Sequence, residues 1–401
     1  MKVAIVLMKG FDGCGVSRFA IEHQKYLRSR GDVCDIYAFA DNTYVREKAH
    51  KDKDVIFYKN FREVDFSKYD IFVLNSYEKE FNEDDFEYYK SLPCIKVAMM
   101  HEITRSNVSR IKHVWDWVLS SDIVSSFSET MDFVNDLSQT GFNMNKYFSF
   151  RMSTNTDEME QLFNDSLENE RVPRLIYFGR WTSMKDPSRL YLYKKLDPSM
   201  SFSMIGIERS IGAFYDIFDN ELCDDASKIG FLDSIEKFND FDTDDSKVAV
   251  FPPIDRDVAM NILGHSTFGC SFYRLGKNKM NNIGNRMEFT QIEMSCVCLP
   301  VFDIDWGKNT FDVETGKSFY ELGDNAIYSD KENLEASLNE MKALIEDKDE
   351  YNRRRSNLFE LVKRNYGSDN IDLFYKTVNN LYNNKENTET KIFHKENLWQ
   401  F

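Results

Sequence analysis

An apolar strand, a glycine-rich turn, an amphipathic helix and a second strand follow one another at the start of the chain. This succession narrows what it can fold into more than any other feature. The run Val3-Ala4-Ile5-Val6-Leu7-Met8 is followed by Gly-Phe-Asp-Gly-Cys-Gly-Val-Ser-Arg over residues 10–18. Val16, Phe19, Ala20, His23, Tyr26 and Leu27 then recur at helical spacing, Gly31 supplies a stop, and a second strand is expected over 33–40. Glycines in such a turn let the backbone come close to a ligand, and the following helix N-terminus attracts anions. The turn is not G-x-G-x-x-G and lacks the Gly-Lys-Ser/Thr of a P-loop, which argues against dinucleotide and ATPase readings. A plain tight βα turn accounts for these residues equally well, so the remaining chain decides.

The first half continues with the rhythm of a parallel sheet. Further strands are expected over 70–75, 95–100 and 117–124, separated by helical or polar stretches as βαβ topology requires. Residues 155–171 are polar and acidic, with Pro173 after them, and read as the end of a first domain and a linker. The rhythm restarts at Arg174-Leu-Ile-Tyr-Phe-Gly-Arg180, with strands expected over 201–206, 247–251 and 299–302 and helices over 287–296 and much of 333–384. The fold class is therefore α/β, with two doubly wound, Rossmann-like domains and a cleft between them. The boundaries fall at 1–170 and 171–370, followed by a C-terminal helix and tail over 371–401 expected to pack back on the first domain. Ligands of such sheets bind at the carboxyl ends of the strands.

Length and composition agree. With 401 residues, 42% of them hydrophobic and 14% aromatic, the chain carries enough apolar material for two cores. No apolar run approaches the roughly 20 residues that span a bilayer, and the N-terminus enters a strand with no signal-peptide pattern. Seven cysteines without C-x-x-C spacing fit reduced thiols in a cytosolic protein better than disulfides or zinc. The net charge of −16 argues against nucleic-acid binding by the whole surface, yet local patches depart from it. Arg274, Lys277, Lys279 and Arg286 lie in a run without one acidic residue, and Arg105, Arg110, Lys112 and His113 form a second basic cluster. Such local charge governs direct phosphate contact.

Three places carry candidate chemistry. Arg180 follows a strand directly and Lys185 lies five residues on, a pair of cations suited to a diphosphate whose charge grows as its bond to a sugar breaks. Solvated surface cations are the alternative, and the position at a strand's carboxyl end favours the site. Glu288 and Glu293 lie on an expected helix, where a carboxylate facing a cleft holds ribose hydroxyls; surface carboxylates fit as well. His101-Glu102 follows the strand ending at Met100, which places a titratable pair where ligands bind, although a structural histidine fits equally. Asp240, Asp242, Asp244 and Asp245 lack the glycine and closing glutamate of a calcium loop. No zinc spacing stands out, so no metal is expected.

Taken together, these residues resemble the phage DNA α-glucosyltransferases, which add glucose to 5-hydroxymethylcytosine. The resemblance rests on Gly10 to Phe19, on Phe178-Gly179-Arg180 with Lys185, and on Gly206-Ile-Glu208-Arg209-Ser210. Its longest part runs from Ser266-Thr-Phe-Gly-Cys through Leu275, Lys277, Arg286-Met-Glu288 and Gln-Ile-Glu293 to Leu299-Pro-Val-Phe. It implies a GT-B fold with an acceptor-side N-terminal domain and a C-terminal domain that holds a UDP-sugar, glucose by default. It further implies that Arg180 and Lys185 grip the diphosphate, Glu293 the ribose, and that Glu288 lies beside the donor, with Glu208 and Arg209 on the donor side. Gly15 and Val16 would border the phosphates or sugar, and His101 would stand near the acceptor. Glu102 takes the place of the family's aspartate, and Cys296-Val-Cys298 lacks the usual glycine. The implied reaction is transfer with retention to a hydroxymethylated pyrimidine of double-stranded DNA, flipped from the stack, in the host cytoplasm during infection. Arg105, Arg110, Lys112, Arg274, Lys277, Lys279 and Arg286 would hold flanking phosphates.

Two rivals remain. A GT-B transferase with a saccharide or lipid-linked acceptor shares every donor residue, and the acid-free Arg274–Arg286 run and the lack of a basic membrane helix argue for DNA instead. A non-catalytic nucleotide or DNA binder would not need Arg180, Lys185 and Glu293 together. The sugar, with a pentose or another hexose as alternatives to glucose, and the acceptor, with 5-hydroxymethyluracil or a base-linked sugar as alternatives, stay open.

Overall fold

In the computed structural model, residues 1–8, 15–39, 54–76, 82–101, 112–126, 137–179, 188–197, 199–205, 248–251, 256–272, 287–330 and 332–383 are described. The chain divides into two compact units. The first is built mainly from Met1–Asn155 and the segment that begins at Tyr366; the second comprises mainly Thr156–Lys279 and Met287–Asn365.

The first unit opens with β1 (Lys2–Leu7), α1 (Gly15–Ser29), β2 (Val33–Phe39), β3 (Val55–Tyr58) and β4 (Ile71–Ser76). It continues with α2 (Glu83–Ser91), β5 (Ile95–Met100), α3 (Lys112–Leu119), β6 (Ile123–Ser126) and β7 (Tyr147–Ser149). The second unit contains α4 (Thr156–Leu167), β8 (Val172–Phe178), α5 (Ser188–Leu196), β9 (Ser201–Ile205), β10 (Val248–Phe251), α6 (Arg256–Gly264) and β11 (Ser266–Cys270). After these come α7 (Phe289–Val297), β12 (Leu299–Asp303), α8 (Ile304–Asn309), the single turn α9 (Phe319–Leu322), β13 (Ile327–Ser329), α10 (Leu334–Glu346) and α11 (Lys348–Tyr366). The last described helix, α12 (Asp369–Tyr382), belongs to the first unit.

Both sheets are parallel. The first has the order β3-β2-β1-β4-β5-β6-β7 and the second β10-β9-β8-β11-β12-β13. Strand order reverses between β1 and β4 in one and between β8 and β11 in the other, and these are the crevices where doubly wound sheets hold ligands. Helices cover both faces of such sheets, so their central strands bury every side chain. Val3 to Leu7 are each 0% exposed for this reason.

Helix α1 follows from its sequence. Phe19, Ala20, His23 and Leu27 are buried on one face, and Gly31 at φ +82° ends the helix by donating its amide to the Arg28 carbonyl. In β11, a Cβ at Gly269 would stand 2.8 Å from Met294 Sδ and 2.9 Å from Cys298 Sγ. Glycine there lets α7 lie close against the sheet, and α7 is consequently buried along almost its whole length.

Two expectations change. Residues 117–124 are not one strand: Trp117 and Val118 are the buried face of α3, and β6 starts only at Ile123. The Ser120 and Ser121 amides bond back to the Asp116 and Val118 carbonyls and close the helix before the strand begins. The supposed linker at 155–171 holds α4, whose Met159, Phe163 and Ser166 recur at helical spacing and are buried, with Phe163 stacked on Phe359 at 4.1 Å. β3, β7, β11 and β13 are strands without a sequence expectation, all four of only three to five residues.

Asp312 pins the end of α11 within the second unit. Its side chain, 0% exposed, accepts from Arg364 Nε at 2.9 Å, Asn365 Nδ2 at 2.7 Å and the Thr315 amide and hydroxyl at 3.0 and 2.8 Å. Burial by itself would raise its pKa, but the bonds from Asn365, Arg364 and Thr315 outweigh it and hold the carboxyl at about 2, below the ordinary 3.8. The folded state therefore resists protonation, and this contribution is complete above the unfolded pKa and disappears as pH falls through the folded one. A shift of this size is worth about 2 kcal/mol. Urea unfolding of Asp312→Asn should show that loss at neutral pH and a flatter acid limb; an acid limb as steep as that of the parent would contradict the assignment.

Candidate active site

At the switch point of the first sheet, three elements meet through side chains. Asn75, near the end of β4 and 0% exposed, donates from Nδ2 to the Val16 carbonyl in the first turn of α1 at 2.9 Å. Its Oδ1 lies 2.6 Å from Nε2 of His101, the residue after β5. Phe19 packs edge-on against the His101 ring, with centroids 5.3 Å apart. Val16 and His101, both selected from the sequence, are thus brought together by a residue that was not. Gly15 is exposed at the start of α1. Nothing in the sequence singled out Asn75, which closes the apolar run of β4; a polar residue at the carboxyl end of a buried strand is the signal that could have found it.

Behind His101, His23 is fully buried, and its Nδ1 lies 3.1 Å from the Tyr375 hydroxyl on α12. Burial, with His101 next to it, holds its pKa well below the ordinary histidine value, so His23 is neutral. Phe374 packs against the His23 and Phe150 rings at 5.4 and 4.9 Å. Phe374 of α12 also faces Phe19, the ring that packs on His101.

In the second unit, β8 ends at Phe178, and Gly179 follows at φ +147°, a conformation that strongly favours glycine. Its amide donates to the Ile205 carbonyl at 3.2 Å, and buried Ser271 follows the neighbouring β11. Arg189, in the first turn of α5, forms a buried ion pair with Asp303 at the end of β12. It also donates to the Ser329 carbonyl at 3.2 Å and lies over the Phe272 ring at 4.4 Å. Tyr193 joins the same cluster, its hydroxyl 2.5 Å from Ser329 Oγ and 2.6 Å from Ser337 Oγ.

Glu293 sits on α7 and is 6% exposed. A carboxylate this buried requires a cation, and Arg256 Nε supplies it, 2.5 Å from Oε1. Arg256 also pairs with Glu158 of α4, so Glu293 belongs to a three-residue ionic cluster that sequence spacing did not reveal. Glu288 stands immediately before α7, half-buried, and its amide donates to Gln291 Oε1 at 2.8 Å.

Glu102, Arg105, Arg110, Arg180, Lys185, Glu208, Arg209, Arg274, Lys277, Lys279 and Arg286 lie outside the described residues, as does the aspartate run at 240–245. Lys112 begins α3. Among the described residues no group of three or more His, Cys, Asp or Glu stands together as a metal site, and no helix is long and apolar enough to cross a membrane. The described cysteines 34, 94, 270, 296 and 298 are buried free thiols, and burial raises Cys94 to about 11 and Cys298 to about 12.

Two parallel Rossmann-like domains in succession are the architecture of the GT-B glycosyltransferases, and the chain has that fold. A glycosyltransferase of Rickettsia africae aligns with 96% of this chain and 99% of its own at TM-score 0.59 and 15% identity. A stronger likeness is to the DNA α-glucosyltransferase of Enterobacteria phage T4, 22% identical over 406 residues that cover 92% of this chain and 97% of that one. A solved α-glucosyltransferase in complex with UDP-glucose and DNA containing an abasic site matches at TM-score 0.78 and 17% identity, covering 94% of this chain and 99% of that one. Another, with UDP and a 13-mer DNA containing a HMU base, matches at 0.76 and 18%, with the same coverage. No known family profile matches the chain.

Proposed function

We propose that this chain is a DNA glycosyltransferase that moves glucose, with retention, from UDP-glucose to the hydroxymethyl group of 5-hydroxymethylcytosine in double-stranded phage DNA. The observation that carries the reading is the likeness to DNA α-glucosyltransferases over nearly the full length of both chains. The second sheet's switch point, where Gly179 turns the chain directly before Arg180, supports a donor site there.

Arg180 and Lys185 hold the diphosphate and stabilise the charge that develops on it as the glycosidic bond breaks. Glu293, oriented by Arg256, accepts from the ribose hydroxyls, and Glu288, Glu208 and Arg209 lie beside the donor. The departing phosphate oxygen takes the proton of the incoming hydroxyl, so the reaction needs no side-chain nucleophile and no metal. Gly15 and Val16 border the phosphates or sugar and His101 stands near the acceptor, with Glu102 next to it. A base stacked in a duplex cannot reach such a pocket, so the target nucleotide flips out. Arg105, Arg110, Lys112, Arg274, Lys277, Lys279 and Arg286 hold the neighbouring phosphates.

The test is mass spectrometry of duplex DNA carrying 5-hydroxymethylcytosine after incubation with the protein and a panel of UDP-sugars, with unmodified DNA as control. A gain of one glucose on the modified base alone is expected; no gain with any donor would overturn the reading. Charge reversal at Lys277 and Lys279 should weaken DNA binding and lower its salt dependence by about one unit of log–log slope per lost phosphate contact. An unchanged slope would remove these two residues from the DNA face.

A further inference from the structure

Asn75 is wholly buried at the carboxyl end of β4 and has two polar partners on different elements, the Val16 carbonyl and the His101 ring. The carbonyl only accepts, so the NH2 of the carboxamide must face α1 and its oxygen must face the ring. An oxygen 2.6 Å from Nε2 is satisfied only by a donor. His101 therefore carries its hydrogen on Nε2, and in the neutral ring the lone pair is on Nδ1. We propose that Asn75 is a positioning residue which fixes the tautomer and rotation of His101 and couples the ring to the first turn of α1, where the glycine-rich turn enters the helix.

This inference rests on the reading of His101 as an acceptor-side residue. A purely architectural role for Asn75 would account for the bond to Val16 and leave the one to His101 unexplained. Phe19 packs on the same ring, so the amide oxygen at Nε2 and this edge contact both bear on the imidazole.

The experiment combines nitrogen-15 spectra of histidine-labelled protein with transfer kinetics for the parent, Asn75→Leu and Asn75→Asp. In the parent, His101 should show a protonated Nε2 and an unprotonated Nδ1; the reverse would overturn the proposal without any variant. In Asn75→Leu the two nitrogens should average toward a mixture of tautomers. Its kcat should fall at least about tenfold while KM for UDP-glucose stays within about threefold. An unchanged tautomer, or a loss confined to KM, would overturn the assignment. Asn75→Asp keeps an acceptor toward Nε2 and should keep the parent tautomer in the neutral ring, and loss of that signature would also count against it. If Asn75→Leu does not fold, the parent and Asn75→Asp spectra decide. Failure of the parent to glucosylate DNA would remove the proposed function and leave the tautomer result standing.

Discussion

Replacing Asp303 with alanine is expected to destabilise the second unit by about 3–5 kcal/mol, the cost of stripping a buried ion pair of one partner. Arg189 and Asp303 have side chains only 5% and 3% exposed, and the guanidinium also lies over Phe272. Without the carboxylate, a cation remains among Leu190, Tyr193 and Phe272, all 0% exposed. Removing both charges is a different change. Arg189→Met with Asp303→Ala takes away the cation together with its partner, and should recover much of the loss because no uncompensated charge stays behind. Equilibrium unfolding in urea of the two single variants and the double variant measures this directly. If Asp303→Ala alone costs less than about 1 kcal/mol, the pair behaves as a solvated one and the assignment fails. Arg189 also stands four residues after Lys185, so the variant should lower transfer as well, through the start of α5.

The alternation of strands and helices was legible because parallel strands buried on both faces are written as unbroken apolar runs. Val3 to Met8 and Ile71 to Leu74 read this way, as does Ile95 to Met100 apart from Lys96, and all are strands or strand ends. Strands that carry polar residues were not legible. β11 reads Ser-Thr-Phe-Gly-Cys, and only its seat between β8 and β12 makes it a strand. In α4 the polar residues hid a three-residue buried face, and in α3 Trp117, Val118 and Leu119 looked like the start of β6. At the candidate site, the sequence pointed to His101, Val16 and Glu293 through position and resemblance. It could not point to the residues that hold them, because Asn75 is 26 residues from His101 and Arg256 is 37 from Glu293. Pairings at such separations are created by sheet order and helix packing, and no local pattern records them.

Arg180→Ala and Lys185→Ala are each expected to lower transfer by about 10²–10³-fold while the cooperative unfolding transition stays where it is in the parent. The argument is one of differential stabilisation. The diphosphate of a bound UDP-sugar already carries charge, but it gains more as the sugar bond lengthens, so a fixed cation beside it binds the transition state more strongly than the ground state. The loss should therefore appear mainly in kcat, with a smaller change in KM for UDP-glucose. Neither side chain is expected to support the fold, since Arg180 follows the last residues of β8 and Lys185 precedes α5. Arg180→Lys sharpens the test. It keeps the charge and removes the planar fork that bonds two phosphate oxygens at once, so partial activity is expected from it. Full activity in either alanine variant would detach these two residues from the donor and leave the second domain's switch point without its proposed ligand. A matched loss in kcat for both, with the unfolding midpoint unchanged, would tie the strand-end cations to the chemical step.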